Sequence, residues 1–145
     1  MIIRTIVVAL DTSARAAGVL AAGIEVARKY GAKLVLVRAV GLPIEIPTEA
    51  FAAPPNKVPE ILERIARTDL EARAKEVPAE LLAGLKVTTG VPWEVICREA
   101  KESESELIVI GSHGFSGIDR LIGTTASRVV NHADRSVLVV RKPRE

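Results

Sequence analysis

Cysteine is nearly absent from this chain of 145 residues. Cys97 stands alone, so no intramolecular disulfide can form and no thiolate cluster can hold a metal. Aromatic residues are almost as scarce: Trp93, Tyr30, Phe51 and Phe115 are all there is, too few for a base-stacking surface. Neither sign of charge dominates. Twenty Lys and Arg against 18 Asp and Glu leave +2, which argues against broad binding to nucleic acid or to a membrane surface. No apolar run approaches the roughly 20 residues that span a bilayer. The first residues, MIIRTIVVALD, carry Arg4 inside the apolar stretch and no cleavage signal after it, so the expected compartment is the cytoplasm.

What the chain has in quantity is Ala, Val, Ile and Leu, within a hydrophobic fraction of 48%. Disordered, collagenous and disulfide-scaffold classes are thereby excluded, and the length fits one domain over 1–145. Four apolar runs rich in β-branched residues, Ile2–Leu10, Leu34–Val40, Leu107–Ile110 and Val137–Val140, lack polar alternation. That is the pattern of strands buried on both faces of a parallel sheet. A weaker strand is expected over Leu85–Thr89.

Helical spacing fills the gaps. Ala17, Leu20, Ile24 and Ala27 form one apolar stripe, with Gly31 as its C-cap. Val58, Leu62, Ile65 and Ala72 form a second on a highly charged helix. Pro92 suits the first position of a third, whose stripe is Trp93, Ile96, Cys97 and Ala100. Ala126, Val129, Val130 and Ala133 make a fourth. Strict alternation of strand and helix predicts an α/β fold, an open parallel sheet of five strands with helices on both faces.

Glycine and proline are unevenly spread. Four of ten glycines lie within 111–123, and five of eight prolines within 43–59. The second cluster, in GLPIEIPTEAFAAPPN at 41–56, breaks helix and strand alike and follows the second strand. It reads either as a surface insertion or as a lid over a ligand.

Ligands of open α/β sheets bind beyond the carboxyl ends of the strands. Two features fall there: Asp11 closes the first strand, and Gly111 opens a glycine-rich loop after the fourth. Gly111 and Gly114 permit close backbone approach. Gly123, Thr124 and Thr125 open a helix whose first amides and hydroxyls can face an anion. The loop is therefore a phosphate cradle in principle, or a structural turn. Walker A fails, since no lysine lies between Gly111 and Thr125, and DTSARAAG after the first strand is not a Rossmann fingerprint. A hydrolase triad from Ser112 or Ser116, His113 and Asp11 lacks a nucleophile elbow, because GFSG is one residue short. Cys97 is expected as a buried structural thiol, Trp93 as packing, His132 against the negative end of its helix, and Lys101–Glu106 as a solvated turn.

IVVALDTSARA, GVPWEVI and IVIGSHGFSGIDRLIGTTASRVV, followed by SVLVVRK, resemble a universal stress protein domain along the whole chain. The resemblance implies a Rossmann-like sheet, of the adenine nucleotide α-hydrolase type, in the order 3-2-1-4-5. It also implies binding of ATP, with Mg²⁺ bridging phosphate oxygens and no protein ligand to the metal. Carried over by residue, Asp11 lies near adenosine beside Ala9 and Leu10, and Ala39 or Val40 meets adenine. Ile110 and Gly111 border ribose and phosphate, Gly114 admits phosphate, and Gly123, Thr124 and Thr125 hold the triphosphate. Two departures are visible. Eight residues separate Gly114 from Gly123 where the family motif has nine, and Ala9 occupies the position of the usual proline.

The fifth strand, Val137, Leu138, Val139 and Val140, is expected at the sheet edge, where an apolar strand needs a partner. The resemblance implies pairing across a two-fold axis to give a homodimer. Three functions are carried forward: an ATP-binding homodimeric stress switch or sensor that signals to a downstream protein, a nucleotide-free dimeric interaction protein, and a slow ATP hydrolase. The last ranks lowest, since no general base or arginine finger is visible and no catalytic residue is assigned.

Overall fold

The computed structural model describes residues 1–41, 54, 57–112 and 122–141. Chain order is β1 (Thr5–Ala9), α1 (Ala16–Tyr30), β2 (Lys33–Val40), α2 (Val58–Ala74), a 3-10 turn (Ala79–Leu81), β3 (Leu82–Thr89), α3 (Pro92–Glu102), β4 (Leu107–Gly111), α4 (Thr124–His132) and β5 (Ser136–Val140). The strands form one parallel sheet in the order β3-β2-β1-β4-β5, as expected. No helix among the described residues is long and apolar enough to cross a membrane.

The period-2 geometry of a strand splits the core in two. Ile6, Val8, Leu34 and Leu36 face α1 and α2 with Leu20 and Leu70. Val7, Val35, Val37, Ile108 and Ile110 face the other way, against Val95, Ile96, Ala126 and Val129 of α3 and α4. Central strands buried on both faces explain the unbroken apolar runs in the sequence. Strand β1 lies at the middle of the sheet, with β2 on one side and β4 on the other. The polypeptide leaves the tips of β1 and β4 in opposite directions, and that divergence opens a crevice above them.

All four expected helix stripes are displaced; on α3 the buried residues are Val95, Ile96, Glu99 and Ala100, whereas Trp93 and Cys97 are half-buried. On α1 the buried residues are Ala16, Val19, Leu20, Gly23 and Ala27, whereas Ala17 is exposed. The helix is turned so that Gly23 meets the sheet, and a glycine carries no hydrophobic signal to mark that face. A Cβ built there lies 2.7 Å from Cγ2 of the fully buried Val8. Gly23→Val is accordingly expected to destabilise the fold by about 2–3 kcal/mol through overpacking, read as a lower urea midpoint. On α2 the buried residues are Ala66 and Leu70, and Ala72 is exposed. On α4 they are Ala126 and Val129, while Val130 is 46% exposed.

Gly31 ends α1 in the left-handed conformation (φ 66°), and the N–H of Ala32 donates to Ala27 O at 2.9 Å. Pro92 does open α3. The run Lys101–Glu106 differs from a solvated turn. Ser105 is buried, and Oε1 of Glu106 accepts the N–H groups of Arg4 (2.7 Å) and Thr5 (2.9 Å), pinning the start of β1. Arg135 secures the same corner by donating from Nη1 to the carbonyls of Ala100 (2.9 Å) and Ser105 (2.7 Å).

The Thr5 and Arg4 amides hold the Glu106 carboxyl below its ordinary value of 4.5. A depressed carboxyl contributes stability above its unfolded value, and this is lost as pH falls through the folded value. Glu106→Gln is therefore expected to lower the urea midpoint at neutral pH. The gap from wild type should close below pH 4.5, as acid protonates the native side chain.

Candidate functional site

A cavity of about 440 Å³ occupies the crevice at the carboxyl ends of β1, β2 and β4, between the first turns of α1 and α4. Each strand contributes the residue at its end. Ala9 and Ala39 share the face of Val7 and Val37, so their small side chains leave room where larger ones would fill the crevice. Ile110 and Gly111 end β4 at the same level, and Leu10 and Asp11 continue from β1. Thr124 and Thr125 lie across the opening, on α4.

Of the eleven residues singled out for a nucleotide, eight thus line one cavity: Ala9, Leu10, Asp11, Ala39, Ile110, Gly111, Thr124 and Thr125. Val40 does not. Its carbonyl accepts the N–H of Gly90 at 3.0 Å, which ties the end of β2 to the turn after β3. Gly123 does not either. It is buried as the N-cap of α4 in an extended conformation (φ −61°), and its N–H donates to Ser112 O at 2.9 Å. That amide is already engaged, so Gly123 sets the start of the helix and leaves anion contact to the residues after it. Gly114, His113 and Ser116 lie outside the described residues, as does nearly all of the proline-rich segment at 41–56.

The phosphate-binding logic therefore rests on the first turn of α4. Thr124, Thr125 and Ala126 occupy its first three positions, whose N–H groups have no acceptor inside the helix. All three residues line the cavity, and among the described residues no side-chain cap is made at this end. The helix dipole adds positive potential there, and the two threonines add hydroxyl donors. Ser112 fixes the other end of the preceding loop, its N–H donating to Val140 O at 2.9 Å while its carbonyl takes the Gly123 amide.

Asp11 is held by a turn of its own making. Its Oδ1 accepts the Ser13 N–H at 2.9 Å and the Ser13 hydroxyl at 2.7 Å, and Ser13 O in turn accepts the N–H of Ala16, the first residue of α1. Ser13 also lines the cavity and was not singled out from the sequence, although Asp-x-Ser is a recognisable side-chain turn. The remaining walls are apolar: Ala16 and Val19 from α1, Val37 from β2, Pro92 and Ile96 from α3. Val37 and Ile96 fall within the expected strand and helix stripe, because periodicity cannot separate a residue facing a cavity from one facing another side chain.

Electrostatically, Asp11 is the one ionisable side chain among the described lining residues. Its carboxylate can accept hydrogen bonds from ligand hydroxyls, the amides of α4 can receive an anion, and the apolar walls can take a flat ring. No group of three metal-binding side chains occurs among the described residues. Cys97 is half-buried instead of fully buried, and lies outside the cavity. Burial raises its thiol, with the Asp134 carboxylate acting in the same direction, so it stays protonated at neutral pH. His132 donates from Nδ1 to Arg128 O at 2.8 Å in the last turn of α4, and its ring stands 4.4 Å from that of Trp93, tilted by 31°. Both residues serve the α3–α4 contact.

A sequence model of the universal stress protein family matches residues 3–141. Universal stress protein A homolog 1 of Coxiella burnetii is 31% identical over 143 residues, which cover 93% of this chain and 94% of that protein. Among solved structures, the universal stress protein UspA from Lactobacillus plantarum superposes with a TM-score of 0.75 at 25% identity, over 97% of this chain and 99% of that one. A universal stress protein from Archaeoglobus fulgidus, in complex with dAMP, superposes with a TM-score of 0.58 at 25% identity, over 97% and 100% of the two chains.

Proposed function

The chain belongs to the universal stress protein family, and on that premise we propose that its cavity is an adenine-nucleotide site taking ATP with Mg²⁺. The observation that carries this reading is the crevice itself, with apolar walls at one side and the uncapped, three-amide start of α4 at the other. A nucleotide needs both surfaces. The relative from Archaeoglobus fulgidus is a complex with dAMP, which supports the ligand class. The absence of a cationic side chain among the described lining residues gives Mg²⁺ its part, since α4 alone offers a triphosphate only partial positive charge. Asp11 then lies with the ribose hydroxyls, away from the phosphates that it would repel. The protein acts in the cytoplasm as a homodimer joined through β5. Ligand binding between β4 and α4 alters a surface read by a downstream protein. Hydrolysis is at most weak.

Denaturing freshly purified protein and chromatographing the supernatant tests the ligand class. Calorimetric titration of the emptied protein with ATP and dAMP, each with and without Mg²⁺, tests the species. The expected result is saturable heat that is largest for ATP with Mg²⁺. Saturation by dAMP alone would replace ATP with a monophosphate. No nucleotide and no heat with either would favour the nucleotide-free interaction protein.

A further inference from the structure

A second cavity, of about 450 Å³, lies on the opposite face of the sheet, between the end of β2, the β1–α1 turn and α2. Its character differs from that of the first. Arg38 enters from β2, Asp11 and Thr12 from the β1–α1 turn, Asp69 and Arg73 from α2, and Glu76 from the turn that follows α2. Asp69 and Arg73 are spaced i and i+4 and so share one face of α2.

Arg38 follows Leu34 and Leu36 on the α1–α2 face of β2, both of them fully buried, and is itself half-buried. Guanidinium groups withdrawn from water are ordinarily paired. Among the described residues Arg38 has no hydrogen bond and no ion pair, whereas Arg73, Glu76 and Asp11 are engaged. Arg73 is 3.6 Å from Glu76, and Oδ1 of Asp11 holds Ser13. Asp69 is exposed on the same helix face and likewise has no such partner among the described residues. What the cavity leaves for a ligand is therefore one planar fork of donors from β2 and one carboxylate from α2. Two arginines against three acids also disfavour a polyanion.

We propose that this cavity binds a small zwitterion of amino-acid size, its carboxylate or phosphate on Arg38 and its ammonium group toward Asp69. The fork geometry of arginine matches either anion. The site does not rest on the nucleotide reading, although Leu10 and Asp11 line both cavities.

The test is NMR titration of the labelled full chain with L-glutamine (carboxylate plus ammonium) and phosphoethanolamine (phosphate plus ammonium), against acetate and methylammonium. Saturable shifts are expected at the Arg38 side-chain N–H and at the amides of Thr12, Asp69 and Arg73. At least one zwitterion should bind about tenfold or more tightly than either single-charge probe, and Arg38→Gln should weaken it by about tenfold, as expected when a charge-assisted hydrogen bond is lost. A preference between the zwitterions identifies the anionic group. The proposal fails if neither zwitterion saturates, if acetate binds as well, if Arg38→Gln changes nothing, or if shifts are confined to residues 110–126. Should Arg38→Gln not fold, Asp69→Asn on the exposed face of α2 tests the ammonium end by the same loss of affinity.

Discussion

Thr125→Asp is expected to leave the protein slightly more stable and almost unable to bind a nucleotide. The two effects come from one charge. Thr125 is the second residue of α4, where the helix dipole favours an anion, so an aspartate should add about 0.5 kcal/mol to stability. Thr125 also lines the cavity at the place assigned to phosphate. A fixed negative charge about 6 Å from a phosphate, at an effective dielectric near 20, costs about 3 kcal/mol, or roughly a hundredfold in affinity. Thr125→Asn has nearly the same shape without the charge and should keep most of the binding. Urea unfolding and calorimetry on the same samples read both quantities. A variant that is stabilised and binds ATP as wild type does would remove phosphate from the start of α4. A variant that merely unfolds is excluded by the first measurement.

The sheet order, the alternation of elements and most of the residues around the crevice follow from patterns that a sequence displays openly. Buried parallel strands need continuous apolar runs, and small residues after them, Ala9 and Ala39, sit where the crevice opens. The errors have a common origin. Gly23 and Ser13 act through what they lack or through a single local hydrogen bond, and hydrophobic periodicity registers neither. Val40 and Gly123, taken from the family resemblance, do not line the cavity, and the carbonyl of one and the amide of the other are engaged in backbone pairs. Ala17, Ala72 and Val130 show the limit from the other side, since an apolar residue on a helix need not face the core. Arg38 lay unnoticed inside an apolar run. Its significance depends on which face of β2 it shares with Leu36, and that is settled by register.

The double variant Leu138→Asp with Val130→Asp is expected to convert a dimer into a monomer at micromolar concentration. Strand β5 is the outermost of the sheet on its side, so half of its backbone groups face away from β4. Val137 and Val139 turn inward against α3 and α4, but Leu138 is 38% exposed on the edge and Val130 is 46% exposed on the helix before it. In the proposed dimer a two-fold axis beside β5 would place each aspartate twice in one interface. Burying an unpaired charge in an interface costs about 2–5 kcal/mol, and four of them exceed what a standard interface can offset. Leu138 is still partly buried and Val130 lies near the C-terminal end of α4, where an anion is disfavoured, so the protomer should lose about 1–2 kcal/mol, read by urea unfolding of the same samples. Neither residue lines the nucleotide cavity, so ATP titration of the monomeric variant asks whether the site needs the dimer at all. Sedimentation velocity gives the answer on assembly. A wild-type monomer would remove the homodimer and leave the β5 edge to another protein, and a variant that still sediments as a dimer would move the interface away from β5.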